Sequence, residues 1–275
     1  MQITAATLAA IAGRTANDNM ASTIAGLELA GIGAGLNRPH RLAQYLAQLA
    51  HESGGWRYDR EIWGPTAAQK RYEGRKDLGN TQPGDGSLFR GRGPIQITGR
   101  ANTTAFRDWA RKLDPTAPDF ARNPDLINTD PWEGLGPIWY WDTRQLNRYA
   151  DHGDLLTITK RINGGTNGLA DRQTQYTRAG LVLLGYAPAD VRAFQRSHGL
   201  TVDGKAGPAT RAAIHAELLK RPLVTFGADR PAPKPSTGPT VKPTEPNPDP
   251  GKNAIPLTAI ALFLIALAVA FIFLR

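Results

Sequence analysis

Eight prolines between residues 231 and 250 (Pro231, Pro233, Pro235, Pro239, Pro243, Pro246, Pro248 and Pro250) set the first limit on what this chain can fold into. Proline lacks a backbone donor and fixes its own φ, so such a stretch builds neither a helix nor a sheet and cannot close a core. It reads as an extended, semi-rigid spacer reaching up to roughly 70 Å at about 3.1 Å per residue. Beyond it, Ile255 to Leu274 is apolar apart from Pro256 and Thr258 and carries no charge. That is about the length a bilayer demands, and it reads as a transmembrane helix. Any soluble core must therefore come from the residues before the spacer.

Those residues divide by pattern. Residues 1–186 carry helix-period apolar positions, most clearly Leu42, Leu46 and Leu49, with Asn37 as the expected cap and Pro39 in the first turn. Met1 to Asn19 lacks a basic leader and reads as a first amphipathic helix rather than a secretory signal. No alternating run is long enough for a major sheet, and the region around Thr81 to Gly93 reads as an irregular loop with short β segments. Residues 187–224 form a second, small helical region, with Val191 and Phe194 on one face, Leu200 and Val202 in a turn, and Ala212 and Ile214 on a second helix. The expected organisation is thus a mainly α domain at 1–186, a helical module at 187–224, a Pro-rich linker at 225–253 and a membrane helix at 254–275.

The chain has 33 Lys and Arg against 24 Asp and Glu, a formal net charge of +9. That suits an anionic partner such as nucleic acid, a phospholipid surface or an acidic wall polymer without choosing among them. With no Cys, thiol nucleophiles, disulfides and thiolate metal sites are all excluded.

The chemistry concentrates between Ala50 and Arg100. Glu52 lies three residues after Leu49 and seven after Tyr45, on the core-facing stripe of a helix that Gly54 and Gly55 then stop. A carboxyl group there is partly desolvated, which favours its protonated form and suits a general acid. Glu61 follows after the glycine turn, flanked by Arg60 and Trp63. A chain reversal would bring it across a cleft, with nearby cations keeping it ionised as a general base. One protonated and one ionised carboxyl across a groove is the pattern of glycoside hydrolysis. Spacing alone is equally compatible with Glu52 paired to Arg57 or Arg41 and Glu61 on the surface.

His51-Glu52 fails as a zinc-protease motif because Gly55 stands where the second His should be, and the five histidines show no ligand spacing. Neither a metal nor a cofactor is expected. The glycine-rich stretch Gly91 to Gly99 lacks a phosphate-loop ending and reads as a tight segment that lets Gln96 and Thr98 point at a ligand. Trp56 and Trp63, beside the carboxylates, are candidate walls for sugar stacking, whereas Trp132, Trp139 and Trp141 read as core.

AHESGGW, YEGRKDLGNTQPGDG and FRGRGPIQITGRANT, in that order, resemble the family-19 glycoside hydrolases, a chitinase-like group that includes many phage endolysins. The resemblance covers roughly residues 31–178. It implies a two-lobed, lysozyme-like helical fold and inverting cleavage of a β-1,4 bond beside N-acetylated sugars. By position it implies Glu52 as general acid and Glu61 as general base. It implies Ser53, Gln96, Thr98, Asn102, Asn163 and Arg172 in substrate binding or water positioning. Thr103 departs from the family, which usually has Tyr there. VRAFQRSHGLTVDGKAGPATRAAI resembles the latter half of a common peptidoglycan-binding repeat, and Asp203 and Arg211 are its candidate glycan contacts. The alternative for this segment is a helical hairpin that only buttresses the first domain.

The combined expectation is a monomeric endolysin whose partners are peptidoglycan strands and, through Ile255 to Leu274, a membrane, with no nucleic acid. Lys242 and Lys252 before the helix, against Arg275 after it, weakly favour a globular part held on the cytoplasmic face. The rival readings are a lytic transglycosylase that uses Glu52 alone, a chitinase, and a non-catalytic wall-tethering protein.

Overall fold

The computed structural model describes residues 1–227. The Pro-rich spacer and the apolar run at 255–274 lie outside the described residues, within which no helix is long and apolar enough to cross a membrane. The fold is mainly helical, as the periodicity predicts.

A two-residue strand β1 (Gln2–Ile3) leads into α1 (Ala5–Ala12). Thr4 and Thr7 exchange side-chain to backbone bonds as a reciprocal cap, and Gly13 ends the helix in a left-handed conformation. Asn17 caps α2 (Asp18–Gly26) through the Met20 amide. The central helix is α3 (Pro39–Glu52), buried along nearly all its length. Its cap is Arg38, which makes no side-chain capping bond, and not Asn37. Asn37 is engaged elsewhere, its carbonyl accepting from the Val224 amide at 2.9 Å. Proline at the first helical position has no donor to satisfy, so the helix starts without a side-chain cap.

Beyond α3 the chain enters an irregular lobe with the short helices α4 (Ala67–Lys70) and α5 (Asp85–Leu88). Isolated antiparallel bridges join Arg60 to Arg92 and Arg92 to Ile97, the modest β content expected there. The helices resume with α6 (Arg100–Leu113), α7 (Trp132–Thr143), α8 (Asn147–Ala150), α9 (Leu155–Asn163) and α10 (Leu169–Leu184). Helix α10 runs along α3, and the two form the spine of the molecule. Helix α7 crosses α2 where Gly134 meets Ser22 and Gly26, so closely that a Cβ at Gly134 would lie 1.8 Å from the Ser22 carbonyl oxygen. Trp132, Trp139 and Trp141 are buried, as expected for core residues.

The segment after Leu184 supplies α11 (Val191–Ser197) and α12 (Pro208–Leu219), then strand β2 (Thr225–Phe226). Phe194, Ile214 and Leu218 are buried in the same continuous hydrophobic cluster as Leu8, Leu46 and Leu181. Helix α12 packs on α10 and α3. Strand β2 pairs in parallel with β1, Gln2 opposite Thr225 and Ile3 opposite Phe226. Both ends of the described chain are thereby clasped together.

Candidate active site

Glu52 is the last residue of α3, and its side chain is only 8 % exposed. The turn that follows is built from three left-handed residues, Gly54, Gly55 and Trp56, with φ of 59°, 70° and 59°. That conformation is easy for glycine and unfavourable for tryptophan, so something must hold Trp56 in it. The Trp56 carbonyl accepts from Asn17 Nδ2 (2.9 Å) and Asn19 Nδ2 (3.0 Å), and its indole Nε1 donates to Thr23 Oγ1 at 3.0 Å. Arg14 Nη1 donates to the Gly55 carbonyl. Helices α1 and α2 thus brace the turn that ends α3 at the carboxylate.

This geometry corrects two expectations. Trp56 is fully buried and unable to stack on a sugar; it is the keystone of the turn. Ser53 is also buried, its hydroxyl donating to the Leu49 carbonyl and accepting from the Trp56 amide at 2.8 Å, so it serves the helix end and not a ligand. A small residue that satisfies its own hydroxyl locally leaves none for substrate.

The partner of Glu52 is neither Arg57 nor Arg41. Arg41 is committed to Asp151. Glu52 Oε1 instead accepts from Nη2 of the fully buried Arg172 on α10, whose Nη1 donates to Gln48 Oε1, one turn back along α3. The neighbouring pair repeats the pattern, His51 Nδ1 lying 2.7 Å from Asp171 Oδ2. Adjacent residues of α3 and α10 are therefore bonded pairwise, which fixes the rotamer of Glu52 from behind. Tyr140, on α7, stands in the same field: burial first raises its hydroxyl above the ordinary phenol range, Arg144 opposes this, and Glu52 adds to it.

Glu61 sits in the irregular lobe and is held by neutral donors, not by a cation. Arg60 pairs with Asp59 instead. Glu61 Oε1 accepts from Gln69 Nε2 at 3.0 Å and from the Tyr72 hydroxyl at 3.3 Å, and Oε2 accepts from the Gly91 amide at 3.0 Å. Burial, with Glu61 as the next cause, pushes the Tyr72 hydroxyl well above the ordinary phenol range, so it remains a donor. The Glu61 amide also donates to the Gly91 carbonyl at 2.9 Å.

Gly91 is where the two motifs meet. A Cβ there would lie 2.3 Å from Gln96 Oε1 and 3.2 Å from Thr98 Oγ1. Both side chains are thus gathered beside the backbone that binds Glu61, and both are half-buried. Gln96 is itself left-handed, φ 56°, with its amide and Nε2 both donating to the Gly93 carbonyl at 3.0 Å. Backbone strain of this kind concentrates where side chains must be aimed. Asn102 ties back to the same loop, donating to the Thr98 carbonyl at 2.9 Å.

Trp63 is half-buried, its ring centroid 6.3 Å from that of Tyr72, beside Glu61. Asn163 closes α9, its amide bridging the Asn167 carbonyl (2.7 Å) and the Gly165 amide (2.8 Å). The loop it shapes ends at Gly168, against which the His51 ring packs. Thr103 is buried. Asp203 is exposed and braces its own turn, accepting from Gln195 Nε2 and the Lys205 amide at 2.8 Å each. Arg211 is half-buried and donates to the Ala206 carbonyl. Among the described residues no three His, Asp or Glu side chains are arranged to hold a metal ion.

Gln48, Gln69, Tyr72 and Tyr140 are the participants that sequence reasoning missed. Only Gln69 left a signal: Thr66-Ala67-Ala68-Gln69 has the spacing of a reciprocal helix cap, which it forms. Its second role, reaching back to Glu61, is a tertiary contact.

A family model described as chitinase class I matches residues 12–178, and a model of a peptidoglycan binding domain matches residues 189–214. A Haemophilus influenzae protein described as containing a glycosyl hydrolase family 19 domain is 34% identical over 172 residues, 52% of this chain and 80% of that protein. An acidic endochitinase of Petunia hybrida is 30% identical over 182 residues, 56% of this chain and 65% of that protein. Among solved structures, chitinase C from Streptomyces griseus superposes with a TM-score of 0.52 at 20% identity, covering 66% of this chain and 76% of that one. A bacterial family 19 chitinase gives 0.51 at 23% identity, covering 66% and 95%. At such identities the structural likeness concerns the fold.

Proposed function

The chain belongs to the chitinase class I family, family 19 of the glycosyl hydrolases, and from that premise we propose that it hydrolyses β-1,4 glycosidic bonds of bacterial peptidoglycan by an inverting acid–base mechanism. The observation that carries the choice of substrate is the second match. A segment similar to a peptidoglycan binding domain, residues 189–214, shares one hydrophobic core with the hydrolase part.

In this reading Glu52 protonates the glycosidic oxygen as the bond to the anomeric carbon breaks. The carboxylate left behind forms against Arg172, which compensates the new charge. Glu61 takes a proton from the water that attacks the anomeric carbon from the opposite face, which inverts its configuration. Neutral donors fix Glu61 without drawing its charge into an ion pair. Thr98 Oγ1 donates to the Gln96 carbonyl and Gln96 Nε2 to the Gly93 carbonyl, so the two side chains, gathered beside Gly91, supply acceptor oxygens to orient that water. Trp63 offers an apolar surface to a sugar ring.

We assign the protein the role of an endolysin. Residues 255–274 would anchor it in the membrane and the Pro-rich stretch would space it from the bilayer, with the globular part held on the cytoplasmic face until the membrane is breached. Protease treatment of intact spheroplasts tests this topology, and digestion of the globular part there would overturn it. The chitinase reading is the one competitor that a specific observation favours, because the Petunia hybrida relative is an endochitinase.

The deciding experiment compares full-length wild type with Glu52→Gln and Glu61→Gln on purified peptidoglycan and on chitin oligosaccharides, with product ends identified by mass spectrometry. We expect hydrated reducing ends from peptidoglycan and at least a hundredfold loss in both variants, on the order of what general acid–base catalysis contributes. Anhydro-sugar ends, or full activity of Glu61→Gln, would replace the mechanism by a transglycosylase. Cleavage of chitin alone would replace the substrate.

A further inference from the structure

A cavity of about 390 Å³ opens on the seam between α10 and the turn that precedes α12. One wall is α10, with Gln173, Thr174 and Arg178; the other is built by Val191, Ala206 and Arg211. At about 100° per residue, Gln173, Thr174 and Arg178 lie on the side of α10 turned away from Arg172. The face of α10 that holds Glu52 and the face that lines the cavity are therefore opposite faces of one helix.

The lining carries two guanidinium groups and no carboxylate. Arg178 donates through Nε to the Ile11 carbonyl (2.5 Å) and through Nη2 to the Ala10 carbonyl (3.3 Å), and Arg211 donates to the Ala206 carbonyl. These acceptors are neutral, and each guanidinium keeps further N–H donors beyond those bonds. No described carboxylate pairs with either arginine, whereas five of the nine half-buried arginines among the described residues, Arg41 and Arg107 included, have one. Burial holds the Arg211 guanidinium below its ordinary value, opposed by Tyr176 and by no carboxylate. A partly desolvated cation without a counter-ion is a standing cost that an anionic ligand removes.

We propose that this cavity is an accessory binding site for a carboxylate-bearing stem peptide of the wall polymer, clamped between Arg178 and Arg211. The proposal rests on peptidoglycan being the substrate and adds which part of it is recognised away from the cleft. The glycan backbone is uncharged apart from its substituents, so a cationic site reads the peptide and not the sugar. The cavity spans the hydrolase part and the module, so it exists only when both are packed together.

The test titrates the full chain, in mild detergent and carrying Glu52→Gln to prevent turnover, with a disaccharide tetrapeptide and with the same compound amidated at its peptide carboxylates. We expect at least tenfold tighter binding of the free acid. That preference should vanish in Arg211→Glu, which reverses the charge. It should also vanish in Thr174→Trp, which fills the cavity from an exposed position while leaving both arginines. Melting curves for each variant separate loss of the site from loss of the fold. Equal binding of the two compounds by the parent protein, or a preference that survives in both variants, overturns the proposal. Digestion of peptidoglycan by the protein with Glu52 intact is read in parallel. Hydrolysis without a stem preference overturns the accessory site alone, whereas failure to hydrolyse overturns the proposed function.

Discussion

Glu133 illustrates how one buried side chain can govern the pH response of the fold. It sits on α7, buried, with Oε1 lacking any hydrogen-bond partner. Burial first, then the nearby Asp59 and Asp130, raise its pKa to about 8. The folded protein thus binds this proton more tightly than the unfolded chain does. Stability is complete below the unfolded value near 4.5 and falls as the pH climbs towards 8. At about 1.4 kcal/mol per unit, that amounts to about 3–5 kcal/mol across the window. Glu133→Gln should therefore melt higher than wild type at pH 8.5 and almost identically at pH 4, as thermal scans at both pH values would show. The two tryptophans beside the carboxylates should separate as cleanly. Trp56→Ala should cost about 3–5 kcal/mol in denaturant titrations, the range for a buried aromatic. Trp63→Ala should leave stability nearly unchanged and raise KM. Nothing in the local sequence distinguishes these two residues. What separates them is Thr23, Asn17 and Asn19, which lie far back in the chain.

At the scale of elements, helices were legible and their partners were not. Periodicity marks α3, and the glycine pair marks its end, because both signals are local. Arg172 was placed by family resemblance, but its pairing with Glu52 and its tie to Gln48 depend on α10 lying along α3. Gln48 is consequently a positioning residue. Gln48→Leu preserves size but takes the acceptor from Arg172 Nη1, leaving only the bond from Nη2 to Glu52. We expect kcat to fall on the order of tenfold to a hundredfold with KM nearly constant. Gln48→Asn should restore little, and Gln48→Glu, which offers Arg172 a competing carboxylate, should shift the pH profile of kcat. The loop element carries an equivalent sensitivity at Gly91. A methyl group there displaces Gln96, so Gly91→Ala should reduce kcat by a similar factor while Glu61 remains in place, measurable by the same kinetics. Strands β1 and β2, two residues each, are too short for any alternation to reveal.

Over the whole molecule, the boundary at residue 186 expected from composition is crossed by a continuous core. Ile214 packs so closely on Gly180 that a Cβ at Gly180 would lie 2.4 Å from it. His215 lies 3.2 Å from the Asp151 carbonyl. A protein ending at residue 186 should therefore expose the outer face of α10, aggregate, and lack a cooperative transition. The chain ending at 227 should give one calorimetric peak with matching calorimetric and van't Hoff enthalpies. Composition shifts reveal where a chain changes character but say nothing about which surfaces then adhere.

The pairing of Gln2 with Thr225 and of Ile3 with Phe226 also has a bearing on synthesis. A ribosome releases the N-terminus first, yet the partner of β1 is among the last described residues to emerge. The clasp cannot close during most of translation, and the spine helices α3 and α10 must wait for α12 to cover the face it packs on. Completion of the fold is thereby deferred to the moment when the Pro-rich stretch is itself being made, so a nascent chain stalled before residue 225 would hold every residue of the candidate active site in a body whose ends are still open.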